Sequence, residues 1–212
     1  SMEANGSMTF SVCGYMNRGI HEGESGIAIY YYDVSKNIVE EVAFIPSTDS
    51  RLVIESELSE LAFYNKGQGV FYTMVDGTLL KVAFEKNERT VLIEGLQKGQ
   101  YVASADGRLL AYQKTNNGTT ETEIWDFAED SKRIVEVESG EVVVPLGFVG
   151  SDFVYGISRP EDVGVDVLGS KVQGMNRLEI RNVKDKVLKK YQKQGVYILA
   201  ATIGNNQITL KQ

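Results

Sequence analysis

Two landmarks recur along this chain at a near-constant distance, and that spacing restricts the fold more than any other feature. The first is a small polar turn running into an apolar strand with a tyrosine: "NKGQGVFYT" (65–73), "SADGRLLAYQ" (104–113) and "VGSDFVYGI" (149–157). "TIGNNQITL" (202–210) repeats it with Leu210 in place of the tyrosine. The second is a strand that ends in a short charged hairpin: "YYDVSKN" (31–37), "VAFEKNE" (82–88), "WDFAEDS" (125–131) and "RNVKDKV" (181–187). From Phe84, Phe127 and Val183 forward to Tyr112, Tyr155 and Leu210 the interval is 28, 28 and 27 residues. From Val34 to Tyr72 it is 38, the excess lying around "STDSRLVIES". Tyr72, Tyr112 and Tyr155 stand 40 and 43 residues apart, the period of a four-stranded propeller blade.

Between these landmarks the chain is a series of short runs rich in Val, Ile, Tyr and Phe, broken by Gly, Asn, Asp and Lys, with no sustained helical period. The reading is all-β: a β-propeller or propeller fragment of about four to five antiparallel blades of four strands, A to D. "QYVASA" is an A strand, "RLLAYQKT" B, "TEIWDF" C and "RIVEVES" D, and "VVPLGFV" opens the next blade. By the same register "TFSVCGYM" and "QITL" are both B strands, so the phase is permuted. Residues 1–7 read as a tag remnant and disordered lead, and 8–212 as one propeller-like domain cut from a longer protein.

"SADGRLLAY" resembles the turn and strand of TolB-like propellers, with a Ser, an Asp-Gly pair, aliphatics and an aromatic in order. Trp125-Asp126 stands where WD repeats place their dipeptide, although the equivalent pairs are Tyr32-Asp33, Val82-Ala83 and Arg181-Asn182. The looser TolB-like type is the better match. "GYMNRGIHEGE" and "DFVYGISRPEDV" are similar to segments of uncharacterised, envelope-exposed proteins of Gram-positive anaerobes. That resemblance implies an extracellular or cell-surface bacterial location and implies no activity.

Composition narrows the function classes. A net charge of −7 argues against a nucleic-acid or anionic-membrane surface, because phosphate binding needs clustered cations. The lysines from Lys184 to Lys193 alternate along a strand and read as a solvated face. No apolar run is long enough to span a bilayer. Cys13 has no partner for a disulfide and reads as a structural thiol in an apolar strand.

Connections in an antiparallel blade alternate between its two ends, so A–B and C–D turns share one face and B–C and D–A connections share the other. The A–B and C–D turns are short. The B–C connections vary from Val75-Asp76-Gly77 to 17–26, 115–122 and 158–176, and the extra residues at 47–57 fall in a D–A connection. All the length variation therefore collects on one face, which becomes the candidate binding surface, since rigid strands commonly carry function on irregular loops. Its candidate residues are Asn17, Arg18, His21, Glu22 and Glu24 in the first blade, and Arg159, Glu161, Asp162 and Asp166 in the last long loop.

His21 is the chain's one histidine; with no second His it supplies neither a zinc set nor HExxH, and it reads as part of an exposed polar loop. The loop at 158–176 lacks the ligand series of an EF-hand and reads as a mobile hydrophilic insertion. No motif calls for a cofactor or metal. A serine triad and a phosphate-binding Gly-rich loop are both missing their context, which leaves paired carboxylates as the sole enzymatic option. The tyrosines at 30–32, with Trp125, Phe127 and Tyr155, read as packing between blades rather than a sugar platform. The expectation is a non-catalytic module binding a protein or carbohydrate partner through its loop-rich face. The alternatives are a carbohydrate-active enzyme and a structural spacer that associates through open blade edges.

Overall fold

The computed structural model describes residues 5–47, 60–65, 67–75, 77–83, 88–116, 118–165, 169–204 and 207–212. Strands dominate, and no helix among these residues is long and apolar enough to cross a membrane. The contacts divide the chain into two compact units, Ser1–Gly95 and Leu96–Gln212.

The first unit holds two sheets. Strands β1 (Met8–Tyr15), β2 (Ser25–Asp33) and β3 (Ile38–Pro46) form a three-stranded sheet in the order β1-β2-β3, with the pairing expected of strands B, C and D. Next, β4 (Ala62–Asn65), β5 (Val70–Val75), β6 (Thr78–Ala83) and β7 (Glu88–Ile93) form a complete blade in sequence order. The core between them is made by alternate residues of facing sheets: Ile27, Ile29, Ala43 and Ile45 meet Phe71, Val75, Leu80 and Val82. Cys13 is half-buried against this cluster.

The second unit repeats the plan. Strands β8 (Tyr101–Ala103), β9 (Leu109–Asn116), β10 (Thr119–Asp126) and β11 (Ser131–Ile134) make one blade. The next is built from β12 (Val142–Val149), β13 (Asp152–Ser158), β16 (Arg177–Arg181) and β17 (Val187–Tyr191). Its B–C connection contains a separate hairpin, β14 (Val163–Val165) with β15 (Lys171–Gln173). A last pair, β18 (Ala200–Gly204) with β19 (Gln207–Lys211), lays Ala201, Ile203, Ile208 and Leu210 on the cluster of Val154, Met175, Leu178 and Ile198.

The two sequence landmarks now have physical causes. Tyr72, Tyr112 and Tyr155 are buried on their B strands and face Lys81, Glu123 and Glu179 directly across the C strand. Three of the charged hairpins are side-chain-capped turns, and the fourth, at 84–87, lies outside the described residues. The carboxylate of Asp33 accepts the backbone N–H of Ser35 and Lys36, that of Asp126 accepts Ala128 and Glu129, and the Asn182 side chain accepts Lys184 and Lys186. A residue with positive φ closes each: Asn37, Asp130 and Asp185, at 53°, 48° and 64°. Asn and Asp tolerate that conformation better than other side-chain-bearing residues. Asp126, the acidic member of the Trp-Asp pair, is held further by Arg108, whose Nε and Nη2 donate at 2.9 and 2.8 Å.

Candidate functional site

The B–C connection of the first blade folds back on its own sheet. Met16 N–H donates to Glu24 O, Gly23 to Met16 O and Glu24 to His21 O, closing a compact loop. Asn17, Arg18, Glu22 and Glu24 are exposed. His21 departs from the expected exposed position: its ring stacks on Phe44 at 3.9 Å between centroids and 12° between planes. Its Nε2 meets Glu41 Oε1 at 2.7 Å, and the other oxygen of Glu41 accepts Tyr30 OH at 3.1 Å. His21 is therefore an anchor for the loop, reached through side chains that the loop sequence does not contain. Tyr30 also stacks on half-exposed Phe10, at 5.5 Å.

In the second unit the two ends of the long loop are bonded to the blade. Asp162 is buried and organises it: its Oδ2 accepts Arg159 N–H at 2.7 Å and Asn176 Nδ2 at 2.6 Å. Gln173 Nε2 reaches Ser158 Oγ, Arg159 O and Asp162 O at 2.8, 2.7 and 3.1 Å, and Ser158 Oγ donates to Gly174 O. These bonds tie the base of the hairpin β14–β15 to strand β13. Above that base Val163 and Val165 are 45% and 70% exposed. Glu161 is exposed at the base, and Asp166 lies outside the described residues.

Beneath the hairpin is a charged network absent from the sequence expectations. Glu141, in the D–A connection before β12, has a fully buried side chain. Arg177 grips both its oxygens, through Nη1 and through Nη2 at 2.6 Å, and Arg159 Nη2 adds a third bond at 2.9 Å. Arg177 Nε also donates to Glu179 at 2.8 Å; Tyr155 OH donates to the other oxygen of Glu179 at 2.6 Å and accepts Arg181 Nε at 2.9 Å. The bonds from Arg177 hold the Glu141 carboxyl down at about 2 against the opposing effect of burial. Burial pushes Glu179 up, but its bonds to Tyr155 and Arg177 outweigh that and hold it low. Burial and Glu179 push the Tyr155 phenol up. Both carboxyls are thus locked in the ionised form by arginine, and neither is tuned as the general acid that a carboxylate pair requires. The signal in the sequence was "RLEIR", whose alternation places three charges on one face of a strand. That face is buried.

Among the described residues no group of three or more His, Cys, Asp or Glu is placed to hold a metal ion.

The strand order A to D, four-stranded and antiparallel in three successive blades, decides the architecture. These are β-propeller blades. No family model matches the chain, and no curated protein does. Similar solved structures include the WD40 repeats of RRP9 (12% identity, TM-score 0.37), of which the chain spans 41% using 67% of its own length. Another is the β-propeller domain of the Trilobed protease from Pyrococcus furiosus (10%, TM-score 0.39), covering 91% of this chain and 56% of that one. A third is a putative TolB from Agrobacterium tumefaciens (12%, TM-score 0.32), covering 82% and 71%.

Proposed function

We propose that this propeller segment is a non-catalytic interaction module of an exported, cell-surface bacterial protein. It binds a protein or glycan partner through its B–C connections, with the hairpin β14–β15 as the main contact. The observation that carries this reading is the contrast within that one element: a base in which Asp162, Gln173 and Asn176 are bonded to the blade, and above it two exposed valines. Exposed apolar side chains on a strand whose base is bonded to the blade make a common form of recognition surface, because little ordering entropy is lost on binding. The arginine-locked carboxylates below it support a scaffold in preference to the carboxylate-pair enzyme.

Replacing residues 163–172 by a short glycine linker keeps the base at Asp162, Gln173 and Asn176 and removes the exposed valines. The intact and trimmed chains are screened against arrays of surface proteins and of glycans. The expected result is a ligand bound by the intact chain and lost on trimming, with the unfolding midpoint followed at Trp125 little changed. A ligand held equally by both chains overturns the assignment of the hairpin. Turnover of a glycan on the array overturns the non-catalytic reading.

A further inference from the structure

One face of the complete blade in the first unit carries a depression of about 410 Å³. Cross-strand pairing places its residues in two rows, Val70–Ala83–Glu88 and Tyr72–Lys81–Thr90. Val70, Ala83 and Leu92 give it an apolar floor, and Gln68, Lys81, Glu88 and Thr90 supply its polar groups. Lys81 Nζ stands 6.0 Å from the centroid of the buried Tyr72 ring. Among the described residues none of these four polar side chains makes a hydrogen bond or an ion pair within the protein.

That is the opposite of the depression of about 340 Å³ beside the Arg177 network, where Arg177, Glu179 and Arg181 are all engaged with partners. Lys81 opposes Thr90, and Glu88 lies two residues along β7, so the ammonium and the carboxylate are diagonal neighbours. Diagonal positions are about 7–8 Å apart on a sheet, within reach of long side chains, yet Lys81 and Glu88 do not pair with each other, and one small molecule of both charges can span them. A ligand carrying both charges can meet the ammonium and the carboxylate at once, with charge-assisted bonds to each.

We propose that this depression binds a small zwitterion, an amino acid or short peptide. Its carboxylate lies on Lys81 and its ammonium on Glu88. Thr90 and Gln68 hydrogen-bond its polar atoms, and its side chain rests on Val70, Ala83 and Leu92. The site uses none of the residues of the hairpin β14–β15 and stands independently of the reading above.

The test is a titration of the 212-residue protein with L-alanyl-L-alanine, followed by backbone amide NMR. Saturable shifts are expected at residues 68–70, 81–83 and 88–92, with a dissociation constant on the order of 1 mM. Lys81→Met and Glu88→Gln should each weaken binding by about tenfold or more. Glu88 is exposed and Lys81 half-buried beside Tyr72, so away from the site the Glu88→Gln spectrum should match the wild type and the Lys81→Met spectrum should differ only near Tyr72; Thr90→Val, a smaller change, should weaken binding less. Dialanine blocked at both ends should leave the spectrum unchanged. No saturable shift up to about 20 mM overturns the proposal, as does an equal response to the blocked peptide or to maltose. Binding that survives both charge substitutions overturns it too.

Discussion

Arg177 holds Glu141 with both terminal nitrogens of its guanidinium, joining the start of a C strand to the D–A connection 36 residues earlier. The carboxylate is fully buried and the arginine nearly so, with side-chain exposures of 0% and 12%. Removing one member of such a pair costs more than the pair itself contributes, because the other is left as a buried charge without compensation. Glu141→Gln should therefore lower stability by roughly 3 kcal/mol at neutral pH, read as a shift in the urea midpoint followed at Trp125.

The same pair sets a pH dependence with a definite sign. The ordinary carboxyl value is 4.5 and the folded value about 2, so the folded state keeps this charge after the unfolded chain has taken up a proton. Stability from the pair is complete above about pH 4.5 and declines as pH falls toward 2. In urea titrations across that window the gap between wild type and Glu141→Gln should narrow steadily; a constant gap would contradict the assignment.

Two glycines separate backbone from side-chain crowding. A Cβ on Gly26 would lie 2.3 Å from the carbonyl oxygen of Ile45, on the adjacent strand β3. Strand backbone cannot yield without breaking the ladder, so Gly26→Ala should cost roughly 3 kcal/mol. A Cβ on Gly156 would meet Met175 Sδ at 2.0 Å, and a thioether chain can move. Gly156→Ala should cost about 1–2 kcal/mol, and much less when added to Met175→Ala. Thermal melts of the four chains give the coupling directly.

Tyr155 and Tyr112 occupy the same place in successive blades and should respond unequally to loss of the hydroxyl. Tyr155→Phe strips a bond from buried Glu179 and leaves Arg181 Nε without its acceptor, an expected loss of about 2 kcal/mol. Tyr112 also bonds a carboxylate, Glu123, but Lys114 stands 3.7 Å from that group and is half exposed. Tyr112→Phe should cost about 1 kcal/mol. Equal losses in denaturant titrations would show that the Arg181 bond contributes nothing.

Blade order and strand type were legible because each is local; the connection expected at 115–122 is instead paired strand, Thr115 with Thr120 and Asn116 with Thr119, and residues 48–57 lie outside the described residues. "RLLAYQKT" alone marks the strand β9, and "WDFAED" alone marks the Asp126-capped turn that follows β10. What was hidden depends on pairing at a distance. Glu141 and Arg177 are neighbours because the D–A connection returns beside the start of a C strand, and neither segment carries a sign of the other. The alternation in "RLEIR" shows three charges on one face, but whether that face meets water or protein is decided by the next element to pack on it. Asp162 was counted as a surface acid for the same reason, since its partners Gln173 and Asn176 lie on the far strand of the hairpin and just past it.

His21 was also read from its own loop, and its role turns on β3. Its ring is sandwiched against Phe44 while Nε2 meets Glu41, so two separable contacts hold the loop. His21→Ala removes both and should cost about 1 kcal/mol. His21→Phe keeps the stack and loses only the bond to Glu41, so it should recover part of that loss. Because Met16, Gly23 and Glu24 donate the hydrogen bonds that close the loop, their amides report it directly. Hydrogen exchange there should speed up most in His21→Ala, less in His21→Phe, with amides of the complete blade in the first unit unchanged. If the two variants exchange alike, the stack on Phe44 does not hold the loop, and the bond to Glu41 is its anchor.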